Sequence, residues 1–213
     1  MTKTVIGTPV GKDHQIDIRT AGYCHLEAQN PNVEWKYAST RSAGSSRNQI
    51  AYFAIKDPDV THVYSVDSDT IPPTGTLQRL LKYDLPIVAG IYPVYVENAM
   101  HWSFIVDGAF WPVWKPLPKE LIEVESIGGS THLAKREVFE TIEQPWYQMV
   151  FTAIDKNGCD WSHGEDIYFS KKARAAGFKL MVDPTIICDH YNYASLLALG
   201  SDYEMVYDKG VQL

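Results

Sequence analysis

The sequence predicts an α/β fold with a mixed, mostly parallel central sheet flanked by helices, and three features point to it. Two strand-then-helix units precede an apolar strand, His62-Val63-Tyr64-Ser65-Val66, which ends in Asp67-Ser68-Asp69 and is stopped by Pro72-Pro73. The run Pro86-Ile87-Val88-Ala89-Gly90-Ile91-Tyr92 is continuously apolar, as a strand covered on both faces must be. A helix pattern ending at Gly177 then leads into a last strand, Lys179 to Cys188.

In chain order, Thr2 to Val10 reads as the first strand, closed by Gly7-Thr8-Pro9. Asp13 is placed to cap a helix from about His14 to Gln29, and Val33 to Ser39 is the second strand. A small polar loop, Ser39 to Ser46, precedes apolar residues at helical spacing from Arg47 to Ile55, ended by Asp57-Pro58. After the acidic strand, Thr74 is the expected cap of a helix over Gly75 to Tyr83, with Leu77, Leu80 and Leu81 inward. From Val94 to Glu125 short aromatic segments, Trp102 to Val106 and Trp111 to Trp114, suit a smaller mixed or antiparallel part. Ser126 to Phe139 reads as a strand-like approach, a Gly128-Gly129 close-approach point and a helix start, with Pro145-Trp146 as the helix end. Asn157-Gly158 is a turn signal, and a helical or irregular tail closes the chain.

At 213 residues the chain is expected to form one domain, residues 1–190, with a tail at 191–213. A net charge of -7 argues against a broad nucleic-acid surface, which needs basic residues to neutralise phosphates. Cys24, Cys159 and Cys188 are far apart and indicate neither a disulfide framework nor a zinc site. No apolar run is long enough to span a bilayer and the N-terminus has no signal-peptide core, so a soluble, cytoplasmic protein is the expectation.

Chemistry is expected at the acidic strand end. On a strand, Asp67 and Asp69 would point the same way, and a shared divalent cation would relieve their repulsion. The ordinary alternatives are an Asx turn into the prolines or helix capping by Asp69 or Thr70. Gly164-Glu165-Asp166 opens a helix, where acids are favoured by the helix dipole in any case. His190 follows the last strand, where a lone histidine is ordinarily structural.

Taken together, the motifs resemble the metal-dependent GT-A glycosyltransferases, in the pattern of family 2, over nearly the whole chain. The pieces are Ser46-Arg47-Asn48, Val66-Asp67-Ser68-Asp69, Ile87-Val88-Ala89-Gly90, the stretch Gly128 to Phe139, Gly164-Glu165-Asp166 and His190. The resemblance implies a GT-A, Rossmann-like fold with a nucleotide-binding half, 1–93, and an acceptor-binding half, 94–190. It implies transfer of a sugar from a nucleotide-diphosphate sugar, expected to be a UDP-sugar, to an acceptor hydroxyl, with Mn2+ or Mg2+ as cofactor. Asp69 would ligate the metal, with His190 completing its protein ligands and Asp67 directed to the metal or the ribose. Asp166 would be the base and Glu165 would hydrogen-bond acceptor or donor sugar, the reverse assignment staying open. A base there implies inversion at the anomeric carbon, although retaining relatives also carry acids in this region.

The same resemblance places Thr8 and Pro9 at the nucleobase, Arg41 or Arg47 at the ribose or diphosphate, and Ser68 in the donor-binding stretch. An ordinary turn and two solvated arginines are the alternative. Gly128 and Gly129 would allow close approach to the donor sugar, against an ordinary tight bend. His132 and Trp161 are candidate acceptor contacts. Two rivals stand beside this. One is a haloacid-dehalogenase-type phosphotransferase using Asp67 as nucleophile, although two β/α units precede the motif here. The other is a non-catalytic nucleotide-sugar-binding module, or a nucleotidyltransferase sharing the fold, and Glu165 and Asp166 discriminate because binding alone needs no base.

Overall fold

A computed structural model describes residues 2–11, 15–96, 99–154, 160–192 and 194–195, with side chains at 152–154, 160–162, 192 and 194–195 left out. The first half runs β1 (Lys3–Val10), α1 (Ile18–Glu27), β2 (Val33–Ser39), α2 (Ala43–Lys56), β3 (Val60–Ser65), β4 (Thr70–Ile71), α3 (Thr76–Lys82) and β5 (Ile87–Ile91). Short strands follow: β6 (Pro93–Val96), β7 (Ala99–Val106), β8 (Ala109–Pro112), β9 (Ile122–Val124), β10 (Ser126–Ile127) and β11 (His132–Lys135). The chain continues with α4 (Arg136–Thr141), β12 (Val150–Ile154), β13 (Asp160–His163), α5 (Glu165–Ala175), β14 (Leu180–Ile187), β15 (Asp189–Asn192) and β16 (Ala194–Ser195).

Among the described residues the central sheet has seven strands in the order β2-β1-β3-β11-β5-β14-β9. The pairs β1–β2, β1–β3 and β5–β14 are parallel, whereas β3–β11, β11–β5 and β14–β9 are antiparallel. The sheet is therefore mixed but not mostly parallel, and with the smaller sheets included antiparallel pairings predominate. The reason is β11, which the Gly128-Gly129 stretch conceals in sequence. It enters between β3 and β5, pairing His132 with Ser65 and with Ala89. Antiparallel strands need no helical crossover, so four residues suffice to reverse the local direction.

The alternating faces explain the apolar runs. Val63, Ile87, Ala89 and Ala134 pack on one side with Ile50, Phe139 and Phe169 from α2, α4 and α5. Tyr64, Val88 and Leu133 pack on the other with Tyr23, Leu77 and Leu80 from α1 and α3. Period-two alternation with both faces covered makes these strands apolar on both sides, with buried polar exceptions such as Thr8, His62 and His132.

Several element bounds move for tertiary reasons. Asp13 lies outside the described residues, and α1 is capped instead by Asp17, whose Oδ1 accepts from Arg19 N at 2.8 Å. The backbone N of Asp17 donates to Ser68 O (2.8 Å), so the acidic turn sets where α1 begins. Helix α2 starts four residues before Arg47, capped by Ser42. Thr74 does not cap α3; Gly75, with φ 84°, precedes it. Helix α4 ends at Thr141, before Pro145-Trp146. The Asn157-Gly158 turn, Cys159 and nearly all of the 191–213 tail fall outside the described residues.

Candidate active site

The acidic motif leaves the strand before it delivers its charge. Val66 N still donates to Gly7 O (3.0 Å), but Asp67 N donates to the Ser130 hydroxyl (2.9 Å) and Thr70 N to Asp67 O (3.2 Å), which closes a turn. Strand alternation therefore does not orient the two acids, and they have different partners. The Asp67 carboxylate receives two N–H bonds from Arg47, Nη1 at 2.6 Å and Nη2 at 3.0 Å. Repulsion at this end of the motif is met by a guanidinium rather than by a cation shared with Asp69.

Arg47 is 5% exposed and is a hub rather than a solvated arginine. Its Nε donates to Glu165 Oε1 (3.3 Å) and its Nη1 also to Ser65 Oγ (3.1 Å). Burial disfavours its charge, and the adjacent Asp67 and Glu165 carboxylates outweigh that and keep it protonated. The close-approach glycines are explained here: a Cβ on Gly129 would collide with the Arg47 guanidinium, and one on Gly128 with the Tyr92 hydroxyl.

Asp69 faces His190, with Oδ2 3.6 Å from Nε2. The pairing of β15 with β4 makes this contact, since His190 lies opposite Thr70 and Tyr191 N donates to Asp69 O (2.8 Å). Nδ1 of His190 lies 2.9 Å from Pro93 O, an acceptor, so Nδ1 carries a proton. Burial lowers the His190 pKa, but the hydrogen bond and charge of Asp69 raise it more, for a net upward shift.

Among the described residues no group of three or more His, Cys, Asp or Glu converges to hold a metal ion by itself. Asp69 and His190 nevertheless fit a divalent cation as a partial set. Their 3.6 Å separation can be spanned by one ion with ligands at about 2.1 Å each. Such an ion would draw its other oxygens from a ligand or water.

Three concavities surround this point. A cleft of about 240 Å³ at the ends of β1 and β2 is lined by Pro9, Arg41, Arg47, Asp67, Ser68 and Asp69, among others. A second, of about 310 Å³, adjoins it between Asp17, Asp69 and Tyr191. A third, also of about 310 Å³, has Asp166, Gly128 and Tyr92 in its wall. Asp166 Oδ1 accepts from Ile167 N (2.7 Å); burial first, then the Glu165 charge, push its pKa up to about 6.

Five of the expected donor-binding residues, with the expected metal ligand Asp69, thus line one cleft, and two expectations are corrected. Thr8 is fully buried, its hydroxyl accepting from Trp35 Nε1 at 3.0 Å, so its side chain is turned away from the cleft. His132 belongs to the core: it is 2% exposed, its Nε2 is 3.0 Å from the Tyr147 hydroxyl, and burial with the Arg47 charge pushes its pKa down to about 4. It offers nothing to an acceptor. The Trp161 side chain lies outside the described residues.

Sequence reasoning missed Ser130, Tyr92 and the Pro93 carbonyl. Tyr92 accepts from Ser130 N (3.3 Å) and packs edge-on against His190, with ring centroids 5.1 Å apart. Their only signal in sequence is position, Tyr92-Pro93 ending an apolar strand and Ser130 following the two glycines.

No protein-family model matches the chain, and no curated protein matches it in sequence. Solved structures do share its fold. A197 from STIV superposes with a TM-score of 0.63 at 18% identity, over 90% of this chain and 86% of that one. The structure of GalNAc-T7 with UDP, GalNAc and Mn2+ superposes with a TM-score of 0.50 at 12% identity, over 89% of this chain and 44% of that one. The fold is GT-A-like, at a distance. Among the described residues no helix is long and apolar enough to cross a membrane.

Proposed function

We propose that the chain is an inverting glycosyltransferase that moves a sugar from a nucleotide-diphosphate sugar, a UDP-sugar first, to an acceptor hydroxyl with the help of Mn2+ or Mg2+. The observation that carries this reading is the double grip of Arg47, which binds Asp67 of the donor-side cleft and Glu165 of the acid pair at once. The nucleotide takes the cleft of the 1–93 half, where Pro9, Arg41 and Ser68 line the wall. Asp69 and His190 hold the cation, which when bound neutralises charge on the departing diphosphate.

The two acids of α5 divide their roles by environment. Glu165 is paired with Arg47 and is thereby oriented, a positioning residue. Asp166 is turned to the less polar cavity, and a pKa near 6 suits a group that accepts a proton near neutrality. The acceptor O–H proton passes to the Asp166 carboxylate as the oxygen bonds to the anomeric carbon. The bond from that carbon to the diphosphate oxygen breaks, its electron pair leaving on the diphosphate, and configuration inverts.

A phosphotransferase that uses Asp67 as nucleophile fits less well, because both carboxylate oxygens are engaged by Arg47. The deciding experiment measures release of the nucleotide leaving group (UDP, GDP, CMP or dTDP) from UDP-, GDP-, CMP- and dTDP-sugars with Mn2+, beside nucleotide-induced thermal shifts. Asp166→Asn is expected to keep metal-dependent nucleotide binding and lose transfer, and Asp69→Ala to lose both. Undiminished transfer by Asp166→Asn would overturn the assignment of the base.

A further inference from the structure

The cavity beside Asp166 is bounded by β6, β7, β8 and β10 on one side and by the start of α5 on the other. Its wall carries Val94, Ile105, Phe110 and Ile167, all half-buried, so the chain leaves this apolar surface partly in contact with water. Asp166 is the one charged side chain among the described residues that line it. A second polar group is also present. Ser126 is 5% exposed and lines the same cavity, yet its hydroxyl has no hydrogen-bond partner among the described residues. Ser103, on the neighbouring strand, is by contrast engaged, accepting from Tyr92 N at 3.1 Å. A buried hydroxyl without a partner is costly and uncommon, and a ligand hydroxyl would satisfy it.

We propose that the acceptor is a neutral phenol or alcohol whose single reacting hydroxyl sits between Asp166 and Ser126 and whose body is apolar or aromatic, filling this cavity. The inference rests on the transferase reading for its reaction and on the cavity alone for its ligand class. A free sugar would set several hydroxyls against Val94, Ile105 and Phe110, where none finds a partner. An anionic acceptor would meet the Asp166 carboxylate. Oδ1 of Asp166 already accepts from Ile167 N, and its second oxygen is the one the acceptor hydroxyl addresses. Ser126 then hydrogen-bonds the same oxygen and orients it. Nothing beyond the nucleotide sugar is needed for the reaction to balance.

The test uses the full chain, 1-naphthol and naphthalene as probes, and glucose and methyl glucoside as hydrophilic competitors. Saturable 1-naphthol binding, tighter than naphthalene, is expected. Ser126→Ala should weaken 1-naphthol at least threefold, leave naphthalene unchanged and not lower the melting temperature, since the hydroxyl has no partner to lose. Val94→Trp, which fills the cavity from β6, should weaken both probes at least tenfold while the nucleotide thermal shift persists. Should Val94→Trp fail to fold, Phe110→Ala provides the same comparison from β8, with weaker binding of both probes.

Probe binding that ignores the Ser126 and cavity-wall variants would overturn the proposal. Faster transfer to glucose than to 1-naphthol would also overturn it while upholding sugar transfer. Binding that responds to the variants, with no donor consumed for any acceptor, would uphold the ligand class and overturn the transferase reading.

Discussion

The Arg47 guanidinium grips the Asp67 carboxylate with two N–H bonds, of 2.6 and 3.0 Å, in the wall of the donor-side cleft. Helix α2 carries the arginine and the turn after β3 carries the acid, so the pair ties the first helix-strand layer to the site. The same guanidinium reaches Glu165 on α5. One buried cation therefore sets the relative positions of three elements.

Removing that cation leaves two carboxylates close together without compensation. Arg47→Met is expected to destabilise the fold by about 3 kcal/mol, read by urea denaturation at pH 7. Arg47→Lys should recover only part of this, because an ammonium cannot reproduce the fork that meets both oxygens of Asp67. Full recovery by lysine would show that charge alone matters.

Asp166 has a native pKa raised to about 6 from 3.8, so its ionised form is disfavoured by folding. Its contribution to stability is intact below the unfolded pKa and is lost as pH rises through 6. Asp166→Asn should therefore stabilise the chain at pH 8 by on the order of 2 kcal/mol and change little at pH 3.5. In the wild-type protein the transfer rate should fall as pH drops below about 6, where the base becomes protonated. A flat rate between pH 5 and 8 would remove Asp166 from the chemistry.

His132 has the opposite linkage. Its native pKa is held down to about 4 from 6.5, so the unfolded chain binds the proton more readily and stability is lost as pH falls through that interval. Replacing it with Phe should flatten the acid limb of the stability curve by up to about 3 kcal/mol, at the cost of the Tyr147 hydroxyl's partner. Because Asp166 and His132 act in opposite directions, the wild-type curve understates both, and chemical denaturation of the single variants separates them. Acceptor KM should be untouched in His132→Phe.

Metal dependence should reside in Asp69 and His190. With Mn2+ and a UDP-sugar at about 100 times Kd, the wild-type chain gains about 2.7 kcal/mol, seen as a raised melting temperature. Asp69→Ala and His190→Ala should each abolish the Mn2+-dependent part of that gain while leaving the apo melting temperature nearly unchanged for Asp69, whose side chain is 46% exposed. An undiminished Mn2+ effect in both variants would place the cation elsewhere.

Much of the layout could be read from local pattern. The strand at Val33–Ser39, the strands around Ile87 and Leu180, and the helix ending at Gly177 follow from periodicity and stop signals, which act over a few residues. Strand β11 could not be read that way. The sequence His132-Leu133-Ala134-Lys135 has no period long enough to mark it, and its place between β3 and β5 depends on partners some forty and seventy residues away. It makes two of the three antiparallel pairings that keep the mixed sheet from being mostly parallel.

By itself the sequence determined the α/β class, an acidic motif at the end of the third strand, and the presence of acids at the start of α5. Only the tertiary structure decided what each acid does. Asp67 and Asp69 are one residue apart and chemically identical, yet one is claimed by Arg47 and the other faces His190. Likewise Thr8 and Pro9 are neighbours, one buried against Trp35 and the other in the cleft wall. The physical reason is that an ionisable group takes its role from the charges and burial around it, and those come from segments distant in the chain.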